Sequence, residues 1–175
     1  MEEYDLNENI VEALRFISSG DVLDLGGGEG QDSVFLAKRG FNVTLVNFSH
    51  SELDIAKRNA ERNNVKINTE LKDILEYDFS QYYDLIICNN VLQFFPPEQT
   101  YQVINKIKEF TNKNGINIIK SFTEKNSHKH PFMFKENELK NIYKDWEILS
   151  YKEYISPEIS PVHIHSIVEI IARKI

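Results

Sequence analysis

The segment from Val22 to Gly30 constrains this chain more than any other part of its sequence. An apolar strand pattern there ends in Asp24, glycines follow at alternate positions, and a helical pattern runs from Gln31 to Arg39. Glycine permits close approach of a ligand to the backbone and tolerates positive φ. The first amides of a helix are free to bind an anionic group. The segment therefore predicts a nucleotide-type site built from main chain, and a turn that merely reverses the chain is the alternative.

The spacing of the glycines separates two kinds of nucleotide site. A dinucleotide fingerprint places its third glycine three residues after the second, and Gln31 occupies that position here. This speaks against a nicotinamide-dependent oxidoreductase. Glycines at positions 26, 28 and 30 instead resemble the first motif of class I S-adenosylmethionine (SAM) methyltransferases. The resemblance implies an α/β fold with SAM as cofactor.

Composition narrows the class of protein and its partners. A length of 175 residues with 41% hydrophobic and 27% charged residues predicts one globular domain over residues 1–175. Cys88 is the only cysteine and lies in an apolar run, so we expect a buried thiol and no internal disulfide. A net charge of −7 disfavours a nucleic-acid partner. The acidic start and the lack of a long apolar stretch predict a cytoplasmic protein without a membrane partner. We expect it to be a monomer or a homodimer.

Alternating strand and helix periods predict the architecture. Strands are expected at 21–25, 41–47, 65–70, 83–89 and 115–122, with helices at 7–18, 31–39, 49–63 and 98–111. The third helix begins with a capping box, Ser49 and Glu52. After a short helix at 136–143, two strands at 146–155 and 162–172 follow without a helix between them. The sequence predicts a Rossmann-like, doubly wound, mostly parallel seven-stranded sheet with a C-terminal antiparallel hairpin.

A second resemblance covers most of the chain. The run from Pro131 to Glu147, the ending from Ile171 to Lys174 and the early Tyr4–Leu6 are similar to the tellurite-resistance methyltransferases. That family implies SAM-dependent methylation of a small-molecule acceptor: an oxyanion such as tellurite or selenite, or a thiol or hydroxyl. A SAM-binding domain of the same fold with little or no methyl transfer is the alternative.

The carboxyl ends of the strands are where an open α/β sheet binds its ligand. By resemblance, the end of the first strand holds the methionine part of SAM, Asn47 and Phe48 meet the ribose and adenine, and the adenine amino group is met after the third strand. The expected cofactor-binding residues are Asp24, Leu25, Gly26, Gly27, Gly28, Gly30, Asn47, Phe48, Asp73, Ile74 and Asn89.

Three of these expectations have structural alternatives, and a fourth residue, Asn47, departs from the pattern of the family. Asp24 is an acid that local backbone amides alone could hold, Asp73 one that caps a turn, and Phe48 an aromatic residue of the core. The family usually carries an acid at Asn47, whose amide has one acceptor oxygen and no charge. This departure implies weaker cofactor binding, a different ribose position or a lost activity.

No catalytic residue is assigned, and no metal is expected. His163 and His165 share a face of the last strand and are weak candidates for a base, with a solvated strand face as the favoured alternative. The loop residues His128, Lys129 and His130 are a second basic candidate, with ordinary loop polarity as the alternative. The sequence Asn90–Leu92 departs from the Asn/Asp-Pro-Pro-aromatic motif of nucleobase and amide N-methylation, and Phe94–Phe95 is expected to pack.

Overall fold

A computed structural model describes residues 7–156 and 164–175. The strands are β1 Asp21–Leu25, β2 Asn42–Asn47, β3 Asn68–Leu71, β4 Tyr83–Asn89, β5 Thr111–Phe122, β6 Glu147–Ser156 and β7 His165–Arg173. The helices are α1 Glu8–Ala13, α2 Gln31–Ala37, α3 His50–Arg62, α4 Pro97–Glu109 and α5 Glu138–Ile142, with 3₁₀ turns at Ile74–Glu76 and Leu92–Phe94. In these two ranges, no helix is long and apolar enough to cross a bilayer.

One sheet joins the seven strands in the order β3-β2-β1-β4-β5-β7-β6. The first five strands pair in parallel, and β7 is antiparallel to both of its neighbours, β5 and β6. The predicted fold class is therefore confirmed, including the C-terminal hairpin. The hairpin's second strand, β7, is the one that joins the parallel sheet.

Several boundaries differ from the sequence prediction. Helix α1 ends at Ala13 rather than Ser18, and β5 begins at Thr111 rather than Gly115. Thr111 pairs with Tyr83 across the irregular start of the β4–β5 ladder, so tertiary pairing extends the strand into a segment that reads as helix end. The third strand is shorter and later than the predicted 65–70.

Both faces of the sheet are covered by apolar side chains. Along β4, Leu85 and Ile87 join the core cluster that includes α1 and α2, whereas Ile86 and Cys88 join the cluster that includes α4 and α5. This division of one unbroken apolar run is typical of a central parallel strand. Cys88 is fully buried, and burial raises the pKa of its thiol, so the prediction of a buried, unreactive cysteine is confirmed.

A buried hydrogen-bond chain ties three elements together beneath the sheet. The Tyr143 hydroxyl donates to Asn117 Oδ1 over 3.0 Å, Asn117 Nδ2 donates to Thr111 Oγ1 over 2.7 Å, and the Thr111 hydroxyl donates to the carbonyl of Ile107 over 2.6 Å. Tyr143 is fully buried at the end of α5, Asn117 lies in β5 and Ile107 lies in α4. The chain satisfies polar groups that water cannot reach.

Replacing Tyr143 by Phe should lower the free energy of unfolding by about 1–3 kcal/mol, because Asn117 Oδ1 is then buried without a donor. Urea unfolding followed by circular dichroism measures the change. The matched control is Tyr82→Phe, whose side chain is 55% exposed and should leave the free energy within about 0.5 kcal/mol. Equal effects of the two changes would contradict a structural role for the chain.

Candidate functional site

The turn between β1 and α2 is built from glycines in left-handed conformation. Gly26 has φ +71° and donates its amide to the Val46 carbonyl over 2.8 Å, which fixes the turn against β2. A Cβ added at Gly26 would lie 2.5 Å from a Val91 methyl group, so only glycine fits. Gly28, with φ +55°, would place a Cβ where no atom lies within 4 Å. The turn is packed on one side and open on the other.

A cavity of about 590 Å³ lies on the open side of this turn. It is at the carboxyl ends of β1, β4 and β5, where the sheet topology places a ligand. Its lining includes Asn7, Glu8, Asn9, Asp24, Gly26, Gly27, Gly28, Asp32, Asn89, Asn90, Lys120, Tyr154 and Glu169. The structure thus brings five predicted residues together at this cavity: Asp24, Gly26, Gly27, Gly28 and Asn89. Leu25 instead is fully buried in the core.

Asn89 has unusual surroundings in this cavity. Its Oδ1 and Nδ2 atoms are both buried, and neither has a hydrogen-bond partner within the part of the chain that the structure describes. Buried side-chain polar atoms in proteins nearly always have a partner, since leaving one unpaired costs about 1–3 kcal/mol. An amide that lines a cavity and lacks both a donor and an acceptor is suited to a ligand that carries both.

Two carboxylates stand beside the turn. Asp24 is 2% exposed and accepts a hydrogen bond from the Ser33 hydroxyl over 2.7 Å. No backbone amide in residues 7–156 or 164–175 donates to it, so the alternative of an acid held by local amides does not apply. Burial, together with the negative charge of Asp32, raises the pKa of Asp24 to about 7. Burial also raises the pKa of Asp32, against the opposing effects of the Asn7 side chain and Lys120.

The end of β2 differs from the predicted arrangement. Asn47 is 2% exposed, and its Oδ1 accepts the Ser49 amide over 3.1 Å while its Nδ2 donates to Glu52 Oε2 over 2.6 Å. The capping box is therefore half formed: the Ser49 hydroxyl accepts the Glu52 amide over 3.4 Å, but the Glu52 carboxylate turns to Asn47. Phe48 is 78% exposed, so the alternative that places it in the core is wrong.

Asp73 and Ile74 follow β3 as expected. Asp73 Oδ1 accepts the Leu75 amide over 2.9 Å and caps the short 3₁₀ turn, which is the structural alternative for this residue. The Asp73 side chain is otherwise exposed, so its second oxygen faces solvent. Ile74 is buried beside the glycine turn, with its Cδ1 atom 3.5 Å from where a Gly26 side chain would begin.

A row of polar side chains crosses the sheet from the glycine turn toward the hairpin. Asn89 in β4 pairs in register with Lys120 in β5, and Lys120 pairs with Glu169 in β7, so the three side chains share one face. Lys120 Nζ lies 2.9 Å from Glu169 Oε1, and the Tyr154 hydroxyl donates to the same oxygen over 2.8 Å. Burial acts to raise the pKa of Glu169, but the contacts from Lys120 and Tyr154 outweigh it and hold the pKa below the usual range.

Sequence reasoning missed Lys120, Tyr154 and Glu169. They come from three strands and form no motif. One signal was present in the sequence, because Lys120 directly follows two isoleucines and Glu169 interrupts the apolar run from Ile167 to Ile171. A charge placed in a buried strand usually has a partner, and that partner is often part of a site.

His163, one of the predicted basic candidates, lies outside the described residues. The other candidates, His128, Lys129, His130 and His165, are not in the described lining of this cavity. His165 and His130 both pack against the Phe122 ring, at centroid distances of 5.5 and 4.9 Å. Phe94 is 62% exposed, so the expectation that it packs is wrong for Phe94.

Phe95 and the loop residues His128 and Lys129 have structural surroundings away from the cavity. Phe95 packs against the core, as expected. His128 and Lys129 lie exposed in the loop, where the Lys129 amine donates to the Glu124 carbonyl over 3.0 Å.

Comparison with known proteins identifies similar sequences. The family model described as "Tellurite resistance protein TehB" matches residues 2–160. A probable S-adenosyl-L-methionine-dependent methyltransferase TehB from Haemophilus influenzae is 38% identical over 152 residues, which are 85% of this chain and 53% of the relative. A ubiquinone biosynthesis O-methyltransferase from Rickettsia akari is 33% identical over 66% of this chain and 45% of its own. The chain spans about half the length of the curated relatives it matches.

Solved structures agree with the sheet described above. The crystal structure of TehB from Haemophilus influenzae superimposes with a TM-score of 0.90 at 30% identity, covering 98% of this chain and 63% of that one. The N-methyltransferase NodS from Bradyrhizobium japonicum, solved with S-adenosyl-L-homocysteine (SAH), gives a TM-score of 0.76 at 14% identity over 95% and 84% of the two chains. The second likeness shows the shared fold alone.

Replacing Asp24 by Asn should change how stability depends on pH. The folded-state pKa of Asp24, about 7, lies above the ordinary value of 3.8 for this group, so its protonation stabilises the fold fully below about pH 4. That stabilisation is lost as the pH rises to about 7, at up to about 1.4 kcal/mol per pH unit. The variant, which cannot ionise here, should gain stability relative to the unaltered chain between pH 5 and 8.

Urea unfolding of both proteins at several pH values measures this difference. Asp78→Asn, an exposed position, is the control and should follow the unaltered chain. A constant difference between Asp24→Asn and the unaltered chain across this range would show that the buried carboxyl does not titrate there.

Proposed function

Because this chain belongs to the family of the tellurite-resistance protein TehB, we propose that it binds SAM on the glycine turn and transfers a methyl group to a small-molecule acceptor. The observation that carries this proposal is Asn89, which lines the cavity and whose two side-chain amide atoms are buried with no hydrogen-bond partner in the described residues. An α-amino acid group offers a carboxylate that accepts and an ammonium that donates. It therefore supplies both partners that an asparagine amide needs.

The glycine turn suits the anionic end of such a ligand. Within the described chain, the backbone amides of Gly27 and Gly28 have no acceptor, and open space lies beside Gly28. Backbone amides of this kind bind a carboxylate without a side chain between them. The Asp24 carboxylate lies on the same cavity and would attract the ammonium group. The residues present therefore fit the methionine part of SAM.

The nucleoside part would extend toward β2 and β3. Phe48 is exposed beside the turn and offers a ring face to adenine. The free oxygen of Asp73 can accept the adenine amino group, and the backbone amide of Ile74 can donate to the ring.

Beyond Asn89, the cavity continues to Lys120, Glu169 and Tyr154, and we assign this end to the acceptor. When bound, SAM supplies an electrophilic methyl group on its sulfonium sulfur. The protein then contributes mainly by aligning the two reactants and excluding water, which is worth roughly 7–11 kcal/mol in favourable cases. Lys120 offers a positive charge and spare N–H donors to the acceptor, and Glu169 holds the Lys120 ammonium group in place.

Tyr154 does not act as a general base for the acceptor. Burial and the hydrogen bond to Glu169 raise the pKa of Tyr154 well above its usual range, so this phenol is not a base near neutral pH. An oxyanion such as tellurite or selenite needs no base, and a thiol or a phenolic hydroxyl would react as the anion that it forms by losing its proton to solvent. These are the acceptor classes that we propose for this chain.

Binding of SAM with little or no transfer is the second candidate. Lys120 is the single cationic side chain in the described cavity lining, and Glu169 already pairs with it. Glu8, Asp24 and Asp32 line the same cavity, so its described wall carries more acids than bases. This charge balance opposes a multiply charged anionic acceptor and favours the second candidate if no neutral acceptor reacts.

Replacing Gly28 by Ala should weaken SAM and SAH binding about 10-fold or more, since the added methyl group occupies the space beside the free amides. Isothermal titration calorimetry measures both affinities. Gly40→Ala is a matched control, because Gly40 also has positive φ, +87°, with no atom within 4 Å of an added Cβ, and lies outside the cavity. Micromolar SAM binding that both variants retain equally would count against this site.

Replacing Lys120 by Met should lower kcat/KM for the acceptor about 10-fold or more while leaving the SAM affinity unchanged, because a charged hydrogen bond to the acceptor is lost. The assay follows SAH formation with tellurite, selenite, thiols and phenols. Lys152→Met, in β6 and outside the described cavity lining, is the control. SAM binding without SAH formation from any of these acceptors would support the second candidate instead.

A further inference from the structure

We propose that Glu52, in the first turn of α3, supplies the carboxylate that binds the ribose hydroxyls of the cofactor, and that Asn47 positions it. This inference rests on the proposed binding of SAM and adds a residue that no sequence motif assigns. Glu52 would be a direct ligand. Asn47 would act only through Glu52.

The location of the pair fits a ribose. Asn47 ends β2, 19 residues after Gly28, and its Nδ2 atom lies 3.5 Å from the Gly28 carbonyl. In nucleotide sites built on a glycine turn after the first strand, an acid about 20 residues further on binds the ribose. This chain has an amide at that place, so the carboxylate has to come from elsewhere or be absent.

Asn47 itself is poorly placed to bind a ligand. It is 2% exposed, and both of its side-chain polar atoms already have partners within the protein. Its Oδ1 atom keeps a second lone pair, but the residue is buried, so a ribose hydroxyl could reach that atom only if the surrounding residues moved.

Glu52 is well placed and available. Its Oε2 atom lies 2.6 Å from Asn47 Nδ2, within one hydrogen bond of the position that an acid at residue 47 would occupy. The side chain is half-buried, and no Lys, Arg or His of the described ranges forms an ion pair with it. One oxygen is therefore held by the amide, and the other keeps its capacity to accept from hydroxyl groups.

The local hydrogen bonds explain why Glu52 is free for this role. In a capping box the residue at this position bonds back to the backbone amide of the cap, here Ser49. Asn47 Oδ1 takes that amide over 3.1 Å, and the Glu52 carboxylate is released toward the end of β2. The Asn47 side chain thus performs two tasks: it accepts the Ser49 backbone amide at the start of α3, and it orients the Glu52 carboxylate.

A charge-exchange experiment tests the pair. The probes are SAH and its 2′,3′-dideoxy analogue, measured by calorimetry. The unaltered chain should prefer SAH, and Glu52→Gln should lose about 10-fold or more in SAH affinity with little change for the analogue. Glu61→Gln removes the same charge from an exposed site about 13 Å along α3 and should change neither affinity.

The double variant Asn47→Asp/Glu52→Gln keeps one acid and one amide with their places exchanged. It should restore SAH affinity to within about twofold of the unaltered chain, because the site again contains one carboxylate held by one amide. Additive losses would instead indicate that the two residues have independent roles. The single variant Asn47→Asp places two acids in contact and should bind SAH more weakly than the double variant. Thermal unfolding without ligand confirms that each variant folds.

Three results would overturn parts of this scheme. If the unaltered chain binds SAH and Glu52→Gln binds it equally well, Glu52 is not a ligand. If Glu52→Gln binds weakly but the double variant does not recover, the role of Glu52 is structural and the inference fails. If the unaltered chain does not bind SAH, the proposed function fails first, and this inference fails with it.

Discussion

The close approach of Gly26 to Val91 is the constraint on which the rest of the site depends. The loop after β4 can lie against the loop after β1 only because residue 26 has no side chain, and an added Cβ would come within 2.5 Å of a Val91 methyl group. The hydrogen bond from the Gly26 amide to the Val46 carbonyl fixes the turn on its other side. With both neighbours in place, Gly27 and Gly28 line the cavity, and α2 begins directly after the turn, at Gln31.

Features contained in a short window of sequence were predicted well. The bounds of β1 and β4 agree with the prediction, because apolar runs bounded by turn residues define buried strands locally. The glycine turn was predicted for the same reason, since its spacing and its flanking strand and helix are contiguous. Chain order also gave the hairpin, because two strands without an intervening helix have few ways to pair.

Features that depend on distant partners were not predictable. Asn89, Lys120 and Glu169 stand in one row only because of the registers of two strand pairs, and a shift of one residue would move each side chain to the other face. The predicted capping box forms only in part for a related reason. Its pattern is local, but Asn47 competes for the same backbone amide and redirects Glu52, and a motif of four residues does not contain that competitor.

The cavity carries two electrostatic costs that a ligand would remove together. Burial and the charge of Asp32 raise the pKa of Asp24 to about 7, and the Asn89 amide has neither a donor nor an acceptor beside it within residues 7–156 and 164–175. Each feature alone is destabilising. An amino acid group would relieve both, since its ammonium favours the ionised carboxylate and its two ends pair with the amide. Proteins break such local rules mainly at functional sites, and a buried acid and a buried amide that break them side by side mark this cavity as a candidate site.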